Sequence, residues 1–565
     1  MVIAAASVLV ASQPVTSPWW MYADADGAYS GSALSILAGH GTDYLDHPGL
    51  PEQELLALSF GVASLPHGGP TQSWAADEMI HLDRARLIFR GWAITFFIGG
   101  AALAFFLLKR LLGHWTWGTA GGLLWLAQPD LTDSIQIRPD VLLAALSLVV
   151  GFFAVRALER RSALSLIFAA VVLGFTLMVK LHSVALLATL LVASVVGYPG
   201  EGWPTRLRTE LRDWLSRHRL FLGVLTVVWL ALALFLNLRN PAPEFGFQRT
   251  RFIVFATLVV LSYLAVSLAV HAWIRSRSTR RLLDPLFAML ALAIAFGMLI
   301  SVGLLLGDGL TAVQTIAVTL EGKGVNTGLT PFNGLTLSLF EGFPLRQASV
   351  VFVIAGIATL WGIRQRNAWP AVWLAGAGIA GVMATARLGG LRYFALPYVL
   401  SIPPCLWLFR RRLRSAAPLL VWVLVAYVLF PTFQHDGSAS TFAEGQEAGA
   451  AAVMRVADRV LKPGEVALVP DQFPLPDDRW TSLVQNFTLW HPAYPYRFID
   501  DYPGAPGLIE SEHLHLRYFI GQQALSLTKP GPFTLTSGVY QARPVPGSID
   551  KAGVAAVELI SGPGI

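Results

Sequence analysis

Pro139-Asp-Val-Leu-Leu-Ala-Ala-Leu-Ser-Leu-Val-Val-Gly-Phe-Phe-Ala-Val-Arg-Ala157 decides the fold class. Between Asp140 and Arg156 it carries no charge, and its length is close to what a helix needs to cross a bilayer. Comparable stretches fall near 87–108, 115–127, 163–179, 182–199, 220–238, 252–274, 285–306, 348–363, 369–386, 394–409 and 416–431. With the N-terminal stretch, about thirteen spans are expected. Composition agrees: 54% of the 565 residues are hydrophobic and 13% charged, and the mean hydropathy is +0.56. Such a chain is too apolar for a soluble protein and too long for one span, so it is polytopic. The net charge of +6 does not indicate nucleic-acid binding, because the cations gather in short loops between spans. Cys405 is the single cysteine and has no internal disulfide partner.

The same cations orient the chain. Lys109-Arg110, the segments 156–161, 206–219, 275–281 and 410–414, and Arg364-Gln-Arg366 form one set of loops, all basic. The opposite loops carry Asp24, Asp26, Asp43, Asp46, Asp77, Glu78, Asp130, Asp133, Asp308, Glu321 and Glu341 with fewer cations. Basic loops stay on the cytoplasmic side, so the acidic loops and everything after Pro431 face outward. Met1 to Pro14 lacks a basic flank, and a first span is expected there rather than a cleaved leader.

A transmembrane domain over 1–432 and a soluble domain over 433–565 are therefore predicted. The first external loop, 19–86, has helical apolar spacing near Tyr29–Leu37 and Glu54–Leu65, predicting short helices on the outer surface. Loop 307–346 is rich in Gly, Thr and Asn and is expected to be a mobile cover. In the C-terminal domain proline, glycine and charge rise; a helix over 442–461 and strands over 465–469 and 532–540 predict a small α/β fold. No internal repeat is visible, which disfavours transporters built from duplicated halves.

Chemistry concentrates outside the spans. Tyr22-Ala-Asp-Ala-Asp-Gly-Ala-Tyr29 and Tyr44-Leu-Asp-His-Pro-Gly-Leu-Pro51 set carboxylates beside a lipid phase, which is costly without a function. Further along stand Ile137-Arg138-Pro139-Asp140, the segment Gly174 to Lys180, and Arg392-Tyr393-Phe394 with Pro397. Each has a plain reading too. Asp24 and Asp26 suit the N-cap of a helix beginning near Ala28, or share a divalent cation. Lys180 suits snorkelling to the interface, Arg392 a structural ion pair, and Asp140 capping and the dipole at a helix start. Trp115 and Trp117 read as interfacial aromatics.

Taken in order, these motifs resemble those of the GT-C superfamily of glycosyltransferases, which includes protein O-mannosyltransferases and lipid A aminoarabinose transferases. The usual acidic pair before Ala-Tyr is altered by Gly27, and Gly49 replaces a proline of the usual Asp-His-Pro-Pro-Leu. The first change leaves Asp24 and Asp26 both open as the catalytic aspartate, with alignment on Ala28-Tyr29 favouring Asp26. The resemblance implies an all-α polytopic membrane fold and inverting transfer of a sugar from a polyprenyl-phosphate carrier to an acceptor hydroxyl. It implies Asp26 as general base, with Lys180, Arg392 and Arg138 stabilising the departing phosphate. Asp46 and His47 would orient sugar or base, and Asp140 and Tyr393 join the substrate-binding set. No cofactor is certain, since only some members use a metal. The implied partners are a lipid-linked sugar donor, a glycan, lipid or protein acceptor and the bilayer, with no nucleic acid. The implied setting is a bacterial inner membrane with a periplasmic active site. Two other classes compete: an oligosaccharide polymerase or ligase, and a transporter of a lipid-linked or small-molecule substrate.

Overall fold

The computed structural model describes residues 2–11, 27–39, 41, 49–80, 82–128, 136–200, 202–239, 283–320, 343–386, 391–412, 419, 421–429, 449, 452–462, 465–469, 497–501, 503–511, 513 and 515–563. The chain divides into two compact units: Met1–Ala11, Leu45–Leu58 and Trp92–Asp436 form the first, and Ser12–Tyr44, Ser59–Gly91 and Gly437–Ile565 the second.

Helices run through nearly every predicted apolar stretch. They are α1 (Val2–Ala11), α2 (Ala28–Ala38), α3 (Leu50–Ser64), α4 (Gln72–Ile80), α5 (Arg86–Leu112), α6 (Trp115–Leu126), α7 (Pro139–Arg160), α8 (Ala163–Val179), α9 (Leu186–Val196), α10 (Trp203–Arg239), α11 (Leu283–Val302), α12 (Leu306–Leu320), α13 (Phe343–Arg364), α14 (Trp369–Ala386) and α15 (Ala395–Arg412). Residues 421–429 are also helical. Four of these helices among the described residues are long and apolar enough to cross a membrane, within Arg86–Leu112, Pro139–Arg160, Trp203–Arg239 and Pro285–Val302. Others, such as Ala163–Val179, are apolar but shorter; the stretch at 252–274 lies outside the described residues.

In the first unit α8 lies along α7 and α11, while α15 packs on α13, α14 and α7. Helix backbones approach closely where glycines face them. A Cβ on Gly174 of α8 would collide with the Ile294 carbonyl of α11, and one on Gly297 of α11 with the Val171 carbonyl of α8. Small residues at such a seam are how helices associate where hydrocarbon offers no hydrophobic drive. Trp229 Nε1 donates to the Ile300 carbonyl at 2.9 Å, and Asn237 Nδ2 donates to the Gly303 and Leu304 carbonyls, tying α10 to the end of α11. The outer face of α10 carries Leu220, Phe221 and Leu238 at 79%, 66% and 72% exposure. Apolar exposure of that extent along one helix suits lipid, not water.

Several local expectations are corrected. Arg206 to Arg219 is not a loop but the first half of α10, continuous with the span that follows. Loop 307–346 opens with α12, because Leu310, Ala312 and Val313 pack with Leu50, Met178 and Val302; its Gly and Thr residues hid that pattern. Trp117 is 8% exposed and sits in the core, so of the two tryptophans only Trp115, at 55%, has the exposure of an interfacial residue. Helix α2 does not lie flat on a surface: Ala28 to Leu37 are all buried.

In the second unit α2 packs on α4. Among the described residues the C-terminal part forms a six-stranded mixed sheet, order β2-β1-β3-β6-β5-β4, from β1 (Val466–Val469), β2 (Arg497–Asp500), β3 (Leu516–Gly521), β4 (Gly531–Leu535), β5 (Gly538–Pro544) and β6 (Ala555–Ser561). β1 is parallel to β2 and β3; the remaining pairs are antiparallel. The strand predicted over 532–540 is a hairpin. Asp501 turns it by accepting from the Thr536 and Ser537 amides, both at 2.8 Å, and Gly538 takes φ +146°, a backbone region open to glycine. Of the helix predicted over 442–461, residues 452–460 are described and helical. Its Arg455 and Arg459 hold Asp550 at 3.1 and 3.2 Å.

Candidate functional site

Helix α7 begins with Pro139 at its first position, where the missing N–H costs nothing. Asp140 follows in the first turn, where negative charge meets the positive end of the helix dipole. The N-cap is Arg138, extended and making no capping bond through its side chain. Asp140 therefore does not cap; its carboxylate goes elsewhere.

Its partner comes from the end of α8. That helix stops at Lys180, which turns extended at φ −161° and ψ 139° and starts a short 3₁₀ helix, Leu181–Ala185. Lys180 Nζ donates to both Asp140 oxygens at 2.7 Å. The lysine side chain is 5% exposed and the aspartate 14%. Lys180 thus does not snorkel outward, as a lysine serving only as an interface anchor would.

Two rings complete the enclosure. Tyr393, in the 3₁₀ helix Leu391–Phe394 that leads into α15, places its ring centroid 5.1 Å from Lys180 Nζ. This is cation–π distance. His182 stacks on the same ring at 5.1 Å and 23°. His182 and Arg138 lie close enough to act electrostatically on Asp140. Arg392 belongs to the Tyr393 helix, and its side chain is outside the described part.

The first loop reaches the same place. Gly49, which ends the Asp46-His47-Pro48 run, donates its amide to the Val179 carbonyl at 2.8 Å, one residue before Lys180. Three residues on, Glu52 lies in the first turn of α3 with 0% exposure. Neither carboxylate oxygen has a hydrogen-bond partner in another described residue. Burial, reinforced by the negative charge of Asp140, pushes its pKa up to about 8 against the opposing pulls of its own backbone amide and Lys180. The next acid, Glu54, is also pushed up by burial but is anchored: Ser301 Oγ donates to its Oε2 at 3.0 Å.

Of the residues singled out from sequence, Asp140, Lys180 and Tyr393 are brought together, with Arg138 beside Asp140. Asp24, Asp26, Asp46 and His47 lie outside the described residues. Gly27, immediately before α2, already has helical backbone angles, φ −68° and ψ −51°, and makes no side-chain capping bond. Among the described residues no cluster of three or more His, Cys, Asp or Glu side chains forms a metal site. Glu52 and His182 were missed. Glu52 sits six residues after Asp46, and an acid in the first turn of a helix reads as an ordinary response to the dipole.

Chemically the arrangement is a cation held almost dry between a carboxylate and an aromatic face.

No family model and no curated protein matches the chain. Solved structures do resemble it. The chain is similar to the oligosaccharyltransferase of Archaeoglobus fulgidus in its apo form, at 12% identity and TM-score 0.41, over 93% of this chain and 70% of that one. It is similar to the archaeal oligosaccharyltransferase AglB from the same organism in complex with an inhibitory peptide and a dolichol-phosphate, at 11% and 0.41, over 93% and 69%. It is also similar to ArnT from Cupriavidus metallidurans bound to undecaprenyl phosphate, at 15% and 0.30, over 99% and 98%.

Proposed function

We propose that this chain is an inverting membrane glycosyltransferase of the GT-C type, moving one sugar from a polyprenyl-phosphate carrier to an acceptor hydroxyl. The observation that carries the reading is the convergence of separate sequence motifs on one buried cation. Asp140, Lys180, Tyr393 and the Gly49 end of the Asp46-His47 run come from four distant segments and meet at helix ends. A structural ion pair needs only two of them.

In this reading the carrier phosphate reaches Lys180 from the headgroup level while its tail stays in hydrocarbon. Asp26 takes the proton of the acceptor hydroxyl as the new carbon–oxygen bond forms at the anomeric carbon. The bond from that carbon to the carrier oxygen breaks, its electron pair leaves with the phosphate, and Lys180, Arg138 and Arg392 stabilise the charge. A divalent cation at Asp24 and Asp26 remains compatible with this scheme. The proposed setting is a bacterial inner membrane, with 1–432 as the catalytic transmembrane domain, 433–565 as a periplasmic domain and the site on that face.

Asp26→Asn should abolish transfer at normal expression, and normal turnover in that variant would overturn its assignment as the base. Product mass separates a single added sugar from the whole glycan that a polymerase or ligase would add. Flux of substrate in vesicles with no glycosylated product would instead indicate transport.

A further inference from the structure

We propose that Glu52 is a further binding residue of this site, its carboxyl group donating a hydrogen bond to a phosphoryl oxygen of the lipid carrier. The inference rests on the glycosyltransferase reading above and adds a residue to it.

Glu52 is fully buried, and neither side-chain oxygen meets a partner in another described residue. Leaving a polar group buried and unpaired is destabilising, and a buried unpaired charge more so. The next acid, Glu54, differs in that Ser301 holds its Oε2, while its Oε1 is unpartnered as well. The place of Glu52 is set by the backbone: its amide donates to the Gly49 carbonyl at 3.1 Å, and Gly49 is itself bonded to Val179. Leu50, at the start of the same turn, packs on Met178 and Val302. This fixes the first turn of α3 against the end of α8, where Lys180 emerges. The charged groups that act on Glu52 are Asp140 from α7 and Lys180 from the end of α8, with Glu54 on its own helix and Asp308 of α12 beyond it.

Charge balance explains why an acid belongs here. Lys180 is already matched by Asp140, so an ionised Glu52 would add a further negative charge beside that pair and oppose a phosphate. With its pKa raised to about 8, Glu52 is mostly neutral at pH 7 and has an O–H to donate. It thus recognises the anion without adding opposing charge, and the proton stays on the carboxyl oxygen in the bound state. As pH rises through 8 the proton is lost, the donor disappears and a like charge takes its place.

The test is binding of undecaprenyl phosphate to the full chain in detergent micelles, near pH 6.5 and near pH 9. Wild type is compared with Glu52→Gln, which keeps a donor but does not titrate, and with Glu52→Ala. A group of pKa about 8 is protonated in roughly one molecule in eleven near pH 9, so wild-type affinity should fall about tenfold relative to Glu52→Gln over this range. The phosphate's own ionisation cancels in that ratio. Glu52→Ala should bind about tenfold weaker near pH 6.5, with equimolar inorganic phosphate displacing none of the lipid.

If Asp140→Asn/Lys180→Met weakens binding while both Glu52 variants match wild type at each pH, the role of Glu52 is overturned and the site reading stands. If wild type does not bind the lipid, or the double variant binds as well as wild type, both fall. Displacement by equimolar inorganic phosphate would overturn the lipid as its source. A merely structural role for Glu52 would shift melting temperature but not the difference in pH profile between wild type and Glu52→Gln.

Discussion

Lys180 Nζ lies 2.7 Å from both carboxylate oxygens of Asp140, joining the last residue of one apolar motif to the first turn of another 40 positions away. The pair is almost closed to solvent, and its energetics follow from that. Removing one member leaves the other charge buried, whereas removing both leaves a neutral contact. Lys180→Met should lower stability by about 3–5 kcal/mol, and Asp140→Asn/Lys180→Met should recover most of it. Thermal melting in detergent measures this; a double variant no better than the single one would contradict the buried-pair account.

Glu52 predicts an unusual pH dependence. Its folded pKa is raised from 4.5 to about 8, so the folded state keeps a proton that the unfolded state releases. Its contribution is greatest below 4.5 and is lost as pH rises through 8. Glu52→Gln has no such loss. The variant should be more stable than wild type near pH 7, by on the order of 3 kcal/mol, and melt at a higher temperature. The gap should widen from about pH 5 to pH 8 and then level off, as melting curves at several pH values will show.

The seam between α8 and α11 is predicted to tolerate no added bulk. Gly174 faces the Ile294 carbonyl and Gly297 the Val171 carbonyl, so a side chain at either position meets backbone that cannot rotate away. Gly174→Leu and Gly297→Val should each destabilise by about 1–3 kcal/mol or more and lower the yield of folded protein in detergent. Gly223 on α10, where an added Cβ meets nothing, provides the control: Gly223→Ala should be neutral or slightly stabilising.

In the C-terminal sheet the opposite sign of pH dependence applies. The Arg455 guanidinium, with the Ala552 amide and Arg459, holds the Asp550 carboxyl down from 3.8 to about 2. Its contribution is present above 3.8 and lost as pH falls through 2. Asp550→Asn should therefore unfold at lower denaturant than wild type near pH 7, with the difference vanishing toward pH 2. Hydrogen exchange of strand β6 amides reports it locally.

Much of this molecule is legible in sequence because bilayer-length apolar runs have one stable backbone solution, the helix. The runs at 139–157 and 163–179 locate α7 and α8 to within a few residues. Runs with ordinary polar punctuation are less legible. Helix α12 is masked by glycine and threonine, and the hairpin at Thr536-Ser537 depends on Asp501, far away in sequence. Lys180, Asp140 and Tyr393 stand out through the motifs around them, but the motifs give no pairing. Asp140 suits a helix start and Lys180 a snorkelling end equally well, and only packing of α7 against α8 turns the two ends into one ion pair. Glu52 carries no signal at all, since burial is a property of the packed structure.

The most direct test of the account is mass spectrometry of lipid-linked and envelope glycans from cells lacking this chain, complemented with wild type, Asp26→Asn or Asp140→Asn/Lys180→Met. Loss of a single sugar from one acceptor, with build-up of its polyprenyl-phosphate donor, reversed by wild type and by neither variant, is the predicted result. Unchanged glycans on deletion, or full restoration by both variants, would contradict it.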